Sequence, residues 1–134
     1  MDNIQIAKNV IEQQEGFMKH NNFVVEELTD KIAKMSCEIT NNSLNPSKIA
    51  HGGLIFGLAD SVMGLLAMTT GKNVLTINEQ IDYIKAANCK KIIGVAEIIK
   101  LGKTISVLKC NIYNEKDELL SIVTGTYYFT SDIK

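Results

Sequence analysis

Residues 52–70 form an apolar run in which Asp60 is the one formal charge, and no other charged residue stands between Lys48 and Lys72. Apolar residues fall on every side of a helix built from this run, a pattern typical of a helix surrounded by protein. Gly71 then supplies a natural C-terminal stop. A buried carboxylate without a partner is costly or becomes neutralised, so Asp60 is either bonded by its neighbours or retained for chemistry.

Three of the glycines in the same run, Gly53, Gly57 and Gly64, add a second constraint. Each weakens a helix by about 1 kcal/mol relative to alanine. We therefore expect another backbone to approach the helix closely at these positions. A sheet wrapped around the helix would provide that backbone.

The chain has the composition of a single globular domain over residues 1–134. A hydrophobic fraction of 46% and a single proline argue against disorder. A net charge of −1 with scattered lysines argues against nucleic-acid binding, which needs a clustered basic face. No apolar stretch reaches the roughly 20 residues of a membrane span, and the N-terminus resembles no targeting signal. We expect a cytoplasmic protein that binds no membrane.

The cysteines, Cys37, Cys89 and Cys110, are odd in number and widely spaced. They form no Cys-x-x-Cys motif and have no paired histidines nearby, so neither a disulfide framework nor a zinc site is indicated. We expect buried, inert thiols in a reducing compartment, with no metal and no cofactor.

Hydrophobic periodicity divides the rest of the chain into helix, strand and loop. Residues 3–19 predict an amphipathic helix, and the turn-rich residues 41–48 predict a loop. Six segments predict strands: 23–28, 31–40, 74–84, 92–101, 104–113 and 119–130. The last three have hairpin-length connections and should be antiparallel neighbours. One helix enclosed by a long antiparallel sheet is an α+β architecture.

The string NPSKIAHGGLIFGLAD, residues 45–60, followed by a strand ending in IDYIKAA, is similar to the phenylacetate-degradation (PaaI) branch of the hotdog-fold acyl-CoA thioesterases. The similarity runs from about residue 23 to the end of the chain. It includes an asparagine six residues before His51 and an acid nine residues after it, a spacing more specific than His-Gly-Gly alone. The resemblance implies a hotdog fold, with a long central helix wrapped by an antiparallel sheet and preceded here by an N-terminal helix.

The resemblance also implies a role for each matching residue in hydrolysis of an acyl-CoA. Asp60 is the general base that activates water, or the nucleophile that forms a mixed anhydride. The N–H of Gly52, at the helix N-terminus, stabilises the charge that develops on the thioester oxygen. His51 shapes the turn. Asn45 positions the water or the thioester carbonyl, and the Thr76 hydroxyl helps to orient the water or Asp60.

Coenzyme A phosphates would meet lysines in this chain, because it contains no arginine. Lys103, Lys90 and Lys91 are the candidates, and Gly53 is a further candidate for substrate binding. The sequence departs from the family at Ala86, where a proline usually precedes the final small residue of the strand.

Helix geometry links the proposed catalytic pair to oligomerisation. Gly52 and Asp60 are eight residues apart, which is roughly 12 Å along one helix. One carbonyl cannot contact both, so if both act on one thioester they come from different chains. Two such helices packed antiparallel across a two-fold axis would form two sites per homodimer. This arrangement resembles that of hotdog thioesterases, which are often dimers of dimers. We therefore expect a homodimer or a homotetramer.

Two other functions remain open at this point. A non-catalytic acyl-CoA binding or sensing protein could share the same fold. A hotdog hydratase is a weaker alternative, because it resembles enzymes with a histidine shortly after the aspartate, where this chain has Leu65. The sequence does not define the acyl group, the choice between coenzyme A and acyl carrier protein, or the choice between base and nucleophile for Asp60.

Overall fold

The computed structural model describes residues 1–133. Three helices and six strands follow one another along the chain: α1 (Asn3–Glu12), α2 (Phe17–His20), β1 (Phe23–Leu28), β2 (Ile32–Glu38), α3 (Gly52–Met68), β3 (Lys72–Tyr83), β4 (Lys91–Leu101), β5 (Ile105–Asn114) and β6 (Leu119–Asp132). One short turn of 3₁₀ helix, Asn41–Ser43, lies in the loop before α3. The strand and α3 predictions agree with these bounds to within a few residues.

The six strands form one antiparallel sheet in the order β1-β2-β4-β5-β6-β3. Strands β4, β5 and β6 are consecutive neighbours, as their short connections predict. Strand β3 precedes them in the chain but pairs with β6 at the far edge. The α+β prediction is confirmed.

Helix α3 lies against one face of this sheet and supplies much of the core. Eleven of its residues are buried, including Leu58, Val62 and Leu66. On the sheet, buried residues alternate with more exposed ones along β5, where Leu108 and Ile112 face the core. None of the helices in residues 1–133 is long and apolar enough to cross a membrane.

Strand β3 contains a bulge that matters for the site. Thr76 pairs with Tyr127 and Asn78 pairs with Thr126, so Ile77 is an extra residue in β3. In a regular strand, residues three apart point to opposite faces. The bulge reverses the alternation, so Thr76 and Glu79 both point to the face that carries α3.

The predicted N-terminal helix is shorter than expected. It spans Asn3–Glu12, and residues 13–16 interrupt the helical pattern before the single turn Phe17–His20. Gly16 has φ −91° and ψ −136°, outside the helical region. The break lets the ring of Phe17 pack edge-on against Phe23 at a centroid distance of 5.6 Å.

The prediction of a close backbone at the α3 glycines is wrong, because the neighbours there are side chains. A Cβ at Gly57 would lie 2.9 Å from the ring of Phe17, and one at Gly64 would lie 3.8 Å from the ring of Tyr127. Gly53 faces the imidazole of its neighbour His51. At Gly57 the missing side chain therefore makes room for an aromatic ring, whereas Gly64 has ordinary space for a methyl group.

The prediction of buried thiols holds for two of the three cysteines, and Cys89 is only half-buried. All three are free thiols, and Cys37 and Cys110 are buried. Burial raises the pKa of the Cys37 thiol to about 11 and that of the Cys110 thiol to about 12. Both thiols are therefore protonated at neutral pH and poor nucleophiles.

Replacement of Gly71 by alanine tests the chain reversal after α3. Gly71 has φ +89°, and a Cβ there would lie 2.9 Å from the side chain of Asn3. We expect Gly71→Ala to lower the free energy of unfolding by about 1–2 kcal/mol, measured by urea denaturation. The matched control Gly64→Ala, in a helix with ordinary space for a methyl group, should raise it by up to about 1 kcal/mol. A Gly71→Ala protein as stable as wild type would contradict this account.

Candidate active site

Asp60 lies partly buried in the middle of α3, and two hydroxyl groups contact its carboxylate. Thr76 Oγ1 on β3 donates to Asp60 Oδ1 at 2.7 Å. Tyr127 Oη on β6 donates to the same oxygen at 2.8 Å. None of the ion pairs among residues 1–133 involves Asp60. Hydroxyl donors thus orient this carboxylate without neutralising it, an arrangement suited to a base or nucleophile.

Glu79 on β3 is a second carboxyl group in the same cluster. Its Oε1 lies 2.8 Å from Tyr127 Oη. The pKa of Glu79 is raised to about 8, and burial is the largest cause. Hydrogen bonding with Asp60 and the negative charge of Asp60 add to the rise, whereas the hydrogen bond from Tyr127 opposes it. Burial and the two carboxylates also raise the pKa of Tyr127, so its phenol stays protonated.

The N-terminus of α3 presents a free backbone donor. His51 is the N-cap residue, and its Nδ1 accepts a hydrogen bond from Gly53 N at 2.8 Å. The Gly53 N–H is therefore occupied by the cap, whereas the Gly52 N–H has no acceptor among residues 1–133. A free N–H at the positive end of a long helix is suited to stabilising an oxyanion.

A cleft of about 270 Å³, here called the α3 N-terminal cleft, is lined by Asn45, Gly52 and Tyr83 among others. Tyr83 Oη donates to the Gly52 carbonyl at 2.7 Å and so fixes the first turn of α3. Asn45 Oδ1 accepts from the backbone N–H groups of Ser47 and Ile49 at 2.9 and 3.3 Å. The oxygen of Asn45 thus holds its own loop, and its Nδ2 is the group left for a ligand.

A second cleft of about 280 Å³, here called the Asp60 cleft, contains Asp60, Thr76 and Tyr127 in its wall. Apolar side chains from α1, α2, α3 and β3 make up much of the rest: Val10, Ile11, Met18, Leu65, Met68 and Val74. The arrangement places the Asp60 carboxyl group beside a mostly apolar surface. An apolar substrate group can be bound there next to the carboxylate.

The predicted catalytic residues fall into two groups within one chain. Asn45, His51 and Gly52 lie at the start of α3, whereas Asp60 and Thr76 lie together at the Asp60 cleft. No residue lines both clefts. This agrees with the helix-rise argument that a single chain cannot place both groups on one carbonyl.

The lysines predicted to bind phosphate lie away from both clefts. Lys90 immediately precedes β4, and Lys91 is its first residue. Lys103 is in the turn between β4 and β5, and none of the three lines either cleft. Lys85, which the sequence did not single out, lines the α3 N-terminal cleft and forms an ion pair with Glu118. Among residues 1–133, no group of three or more histidine, cysteine or acidic side chains is arranged to hold a metal ion.

The sequence did not predict three residues of the candidate site: Tyr83, Glu79 and Tyr127. The signal for Tyr127 is its position in the β6 alternation between buried Val123 and Phe129, because a buried tyrosine hydroxyl needs a partner. Glu79 carried no such signal, since regular alternation would place it on the face opposite Thr76.

Residues 47–121, more than half of the chain, match the thioesterase superfamily. The chain belongs to this superfamily and is a thioester hydrolase. The sequence resemblance to hotdog-fold thioesterases is thereby confirmed.

Individual relatives agree with this assignment. A protein of Archaeoglobus fulgidus named "Putative esterase" is 28% identical over 127 residues, which cover 89% of this chain and 82% of that protein. The structure of the E. coli PaaI protein from the phenylacetic acid degradation operon superposes with a TM-score of 0.90 at 19% identity, over 96% of this chain and 93% of that one. This likeness confirms the hotdog fold.

A third relative has been solved with a ligand. The structure of a hypothetical thioesterase of Streptococcus pneumoniae with coenzyme A has a TM-score of 0.80 and 27% identity, over 84% of this chain and 92% of that one. Two further structures of that protein carry alanine in place of an aspartate or in place of a threonine 16 positions later.

Removal of the His51 side chain tests its capping role. We expect His51→Ala to lower the free energy of unfolding by about 1 kcal/mol, because the Gly53 N–H loses its acceptor. His51→Asn should recover most of this loss, since asparagine is a favoured N-cap. The exposed second histidine provides the control, and His20→Ala should change stability by less than about 0.5 kcal/mol in the same urea titration. Equal effects of the two alanine variants would exclude a cap.

Proposed function

We propose that this protein hydrolyses an acyl-CoA, or a related acyl-carrier thioester, to a carboxylic acid and a free thiol. The observation that carries the proposal is the Asp60 carboxylate, which has two hydroxyl donors, no cation partner and a position in the wall of a mostly apolar cleft. Structural carboxylates are usually paired, so this arrangement favours chemistry. The proposed reaction uses water and needs no metal or cofactor.

In the proposed reaction, Asp60 removes a proton from a water molecule. The water oxygen then bonds to the thioester carbon, and negative charge develops on the carbonyl oxygen, where the Gly52 N–H stabilises it. As the carbon–sulfur bond breaks, the sulfur takes the proton held by Asp60. Thr76 and Tyr127 hold the carboxylate in place through these steps. Direct attack by Asp60 to give a mixed anhydride, later hydrolysed by water, is the alternative route.

We infer that the complete site forms between two copies of the chain. Strand β3 lies at the edge of the sheet, with an unpaired backbone edge and two apolar side chains, Leu75 and Ile77, each more than half exposed. Such an edge favours pairing with a second strand. A two-fold axis there would let Gly52 of one subunit approach Asp60 of the other, in a homodimer or in a tetramer built from two dimers.

The carrier part of the substrate is inferred from the Streptococcus pneumoniae relative with coenzyme A. In that protein an aspartate and a threonine 16 positions apart were each replaced by alanine, the same spacing as Asp60 and Thr76. Lys85 in the α3 N-terminal cleft is a candidate for a phosphate contact, in addition to Lys90, Lys91 and Lys103. An apolar acyl group fits the lining of the Asp60 cleft. Cytoplasmic location remains a prediction from the sequence.

The first test replaces the base. We expect Asp60→Asn to lower kcat by at least about a hundredfold on the best substrate of a broad acyl-CoA panel, because the amide cannot accept the proton from water. Free thiol release is the measurement. The matched control Asp30→Asn changes an exposed aspartate in the turn between β1 and β2 and should retain wild-type activity. Unchanged turnover in Asp60→Asn would refute the proposed role.

The second test removes the oxyanion donor at Gly52. Proline lacks the N–H and suits the first position of a helix, and His51 has the extended conformation that a following proline requires. We expect Gly52→Pro to lower kcat by about a hundredfold to a thousandfold. Gly52→Ala is the control, because it brings a Cβ equally close to Tyr83 but keeps the N–H, so its loss should be smaller. Equal losses would point to the Tyr83 contact as the cause.

The same two variants test the shared site. Equal amounts of Asp60→Asn and Gly52→Pro chains are refolded together. Half of the resulting dimers should then contain one chain of each kind. Each mixed dimer has one site with both defects and one with neither, so about a quarter of wild-type activity should return. If a mixture shown to exchange subunits recovers no activity, Asp60 and Gly52 do not form a site shared between two subunits.

A further inference from the structure

The hydroxyl of Tyr127 is the starting point, because it carries one hydrogen and contacts two carboxyl groups. Tyr127 Oη lies 2.8 Å from Asp60 Oδ1 and 2.8 Å from Glu79 Oε1, both ordinary O–H···O hydrogen-bond distances. It also lies 3.2 Å from the Asp60 carbonyl oxygen. A phenol donates once and accepts at its lone pairs. Two ionised carboxylates cannot both be hydrogen-bonded to it, so one contact needs a proton on the carboxyl group.

We propose that Glu79 holds this proton and donates it to Tyr127 Oη, which in turn donates its own hydrogen to Asp60 Oδ1. Glu79 is then a positioning residue: it acts on Asp60 through Tyr127. The catalytic role of these two hydrogen bonds rests on the function proposed above. The protonation state of Glu79 does not depend on that function.

The assignment of the proton to Glu79 follows from the donors around each carboxyl group. Asp60 Oδ1 receives two hydroxyl donors, Thr76 and Tyr127, and donors favour the ionised form. Glu79 has one hydroxyl donor nearby, Tyr127, and no cation pairs with it among residues 1–133. Its hydrogen bonding with Asp60 and the negative charge of Asp60 both favour the protonated form of Glu79. The proton is therefore best placed on Glu79.

The surroundings of Glu79 act in the same direction. Asp60 on α3 and Tyr127 on β6 influence the pKa of Glu79, and Glu79 in turn acts on the buried thiol of Cys110 on β5. Both the phenol and the thiol are neutral, and Asp60 is an acid, so no positive charge favours ionisation of Glu79. Burial is the largest cause of its raised pKa, about 8, so Glu79 is mostly protonated at pH 7.

Loss of this proton changes the geometry at Asp60. When Glu79 ionises, it competes with Asp60 for the single Tyr127 hydrogen, and it adds a second negative charge beside the one developing on the substrate. We expect kcat/KM of the wild type to fall as the pH rises through about 8, with a limiting slope of about tenfold per pH unit.

A first experiment detects the proton without substrate. The infrared spectrum of the wild-type protein should contain the C=O stretching band of a protonated carboxylic acid at pH 7, and this band should disappear as the pH rises through about 8. Glu79→Gln should lack the band. The control Glu97→Gln, an exposed carboxylate paired with Lys109, should retain it. A wild-type spectrum without the band, or a band that persists in Glu79→Gln, would overturn the proposal.

Stability provides an independent substrate-free readout. Because the pKa of Glu79 rises from 4.5 to about 8 on folding, the folded chain binds more protons than the unfolded chain between these values. The contribution of Glu79 to stability is therefore present below pH 4.5 and is lost as the pH rises to about 8. The urea midpoint of Glu79→Gln should decline less over this window than that of the Glu97→Gln control. Parallel curves for the two variants would contradict the proposal.

Kinetics then tests the action on Asp60. At pH 7, Glu79→Ala should lower kcat about tenfold with little change in KM, and Glu79→Gln should restore most of it, because its amide N–H can donate to Tyr127. The fall in kcat/KM above pH 8 should be absent from Glu79→Gln. Identical pH profiles in wild type and Glu79→Gln would exclude the positioning role. If no acyl-CoA is turned over, the proposed function fails, while the infrared and stability results still decide the protonation state.

Discussion

Packing of α3 against the sheet determines where the chemical groups of this protein lie. The buried face of the helix, with residues such as Leu58 and Val62, fixes its rotation and its depth. Rotation brings Asp60 toward β3 and β6, and depth sets how far the carboxylate is removed from water. The N-terminus of the same rigid helix carries Gly52, so one packing contact positions both halves of the proposed site.

The cluster around Asp60 contains two carboxyl groups, although a general base needs only one. Asp60 and Glu79 are both carboxyl groups near one phenol, and no cation is paired with either among residues 1–133. Two like charges at such short range are unfavourable, so the environment separates their protonation states. A pair of carboxyl groups then behaves as one anion and one neutral donor, a division of roles that geometry imposes.

Much of the fold was predictable from the sequence, because its patterns are local. The apolar run with Asp60 defined α3, and the β-branched segments and short turns defined the β4–β6 meander. Asp60 and Thr76 were predicted through a motif, and the structure places them in hydrogen-bond contact. Tyr127 and Glu79 were missed, because their role depends on pairing between β3 and β6, which are far apart in sequence. The aromatic neighbours of the α3 glycines were missed for the same reason, since Phe17 reaches Gly57 from a separate turn.

The bulge at Ile77 shows that one inserted residue in a strand can determine a site as much as the identity of its side chains does. A chain shortened by that one residue would keep every polar group of the cluster, yet regular pairing would turn either Thr76 or Glu79 to the opposite face of the sheet. The alternation of side chains along β3, as shifted by the bulge, is thus part of the site. Comparisons among such proteins that count conserved residues but ignore insertions in this strand would group together chains whose polar clusters differ.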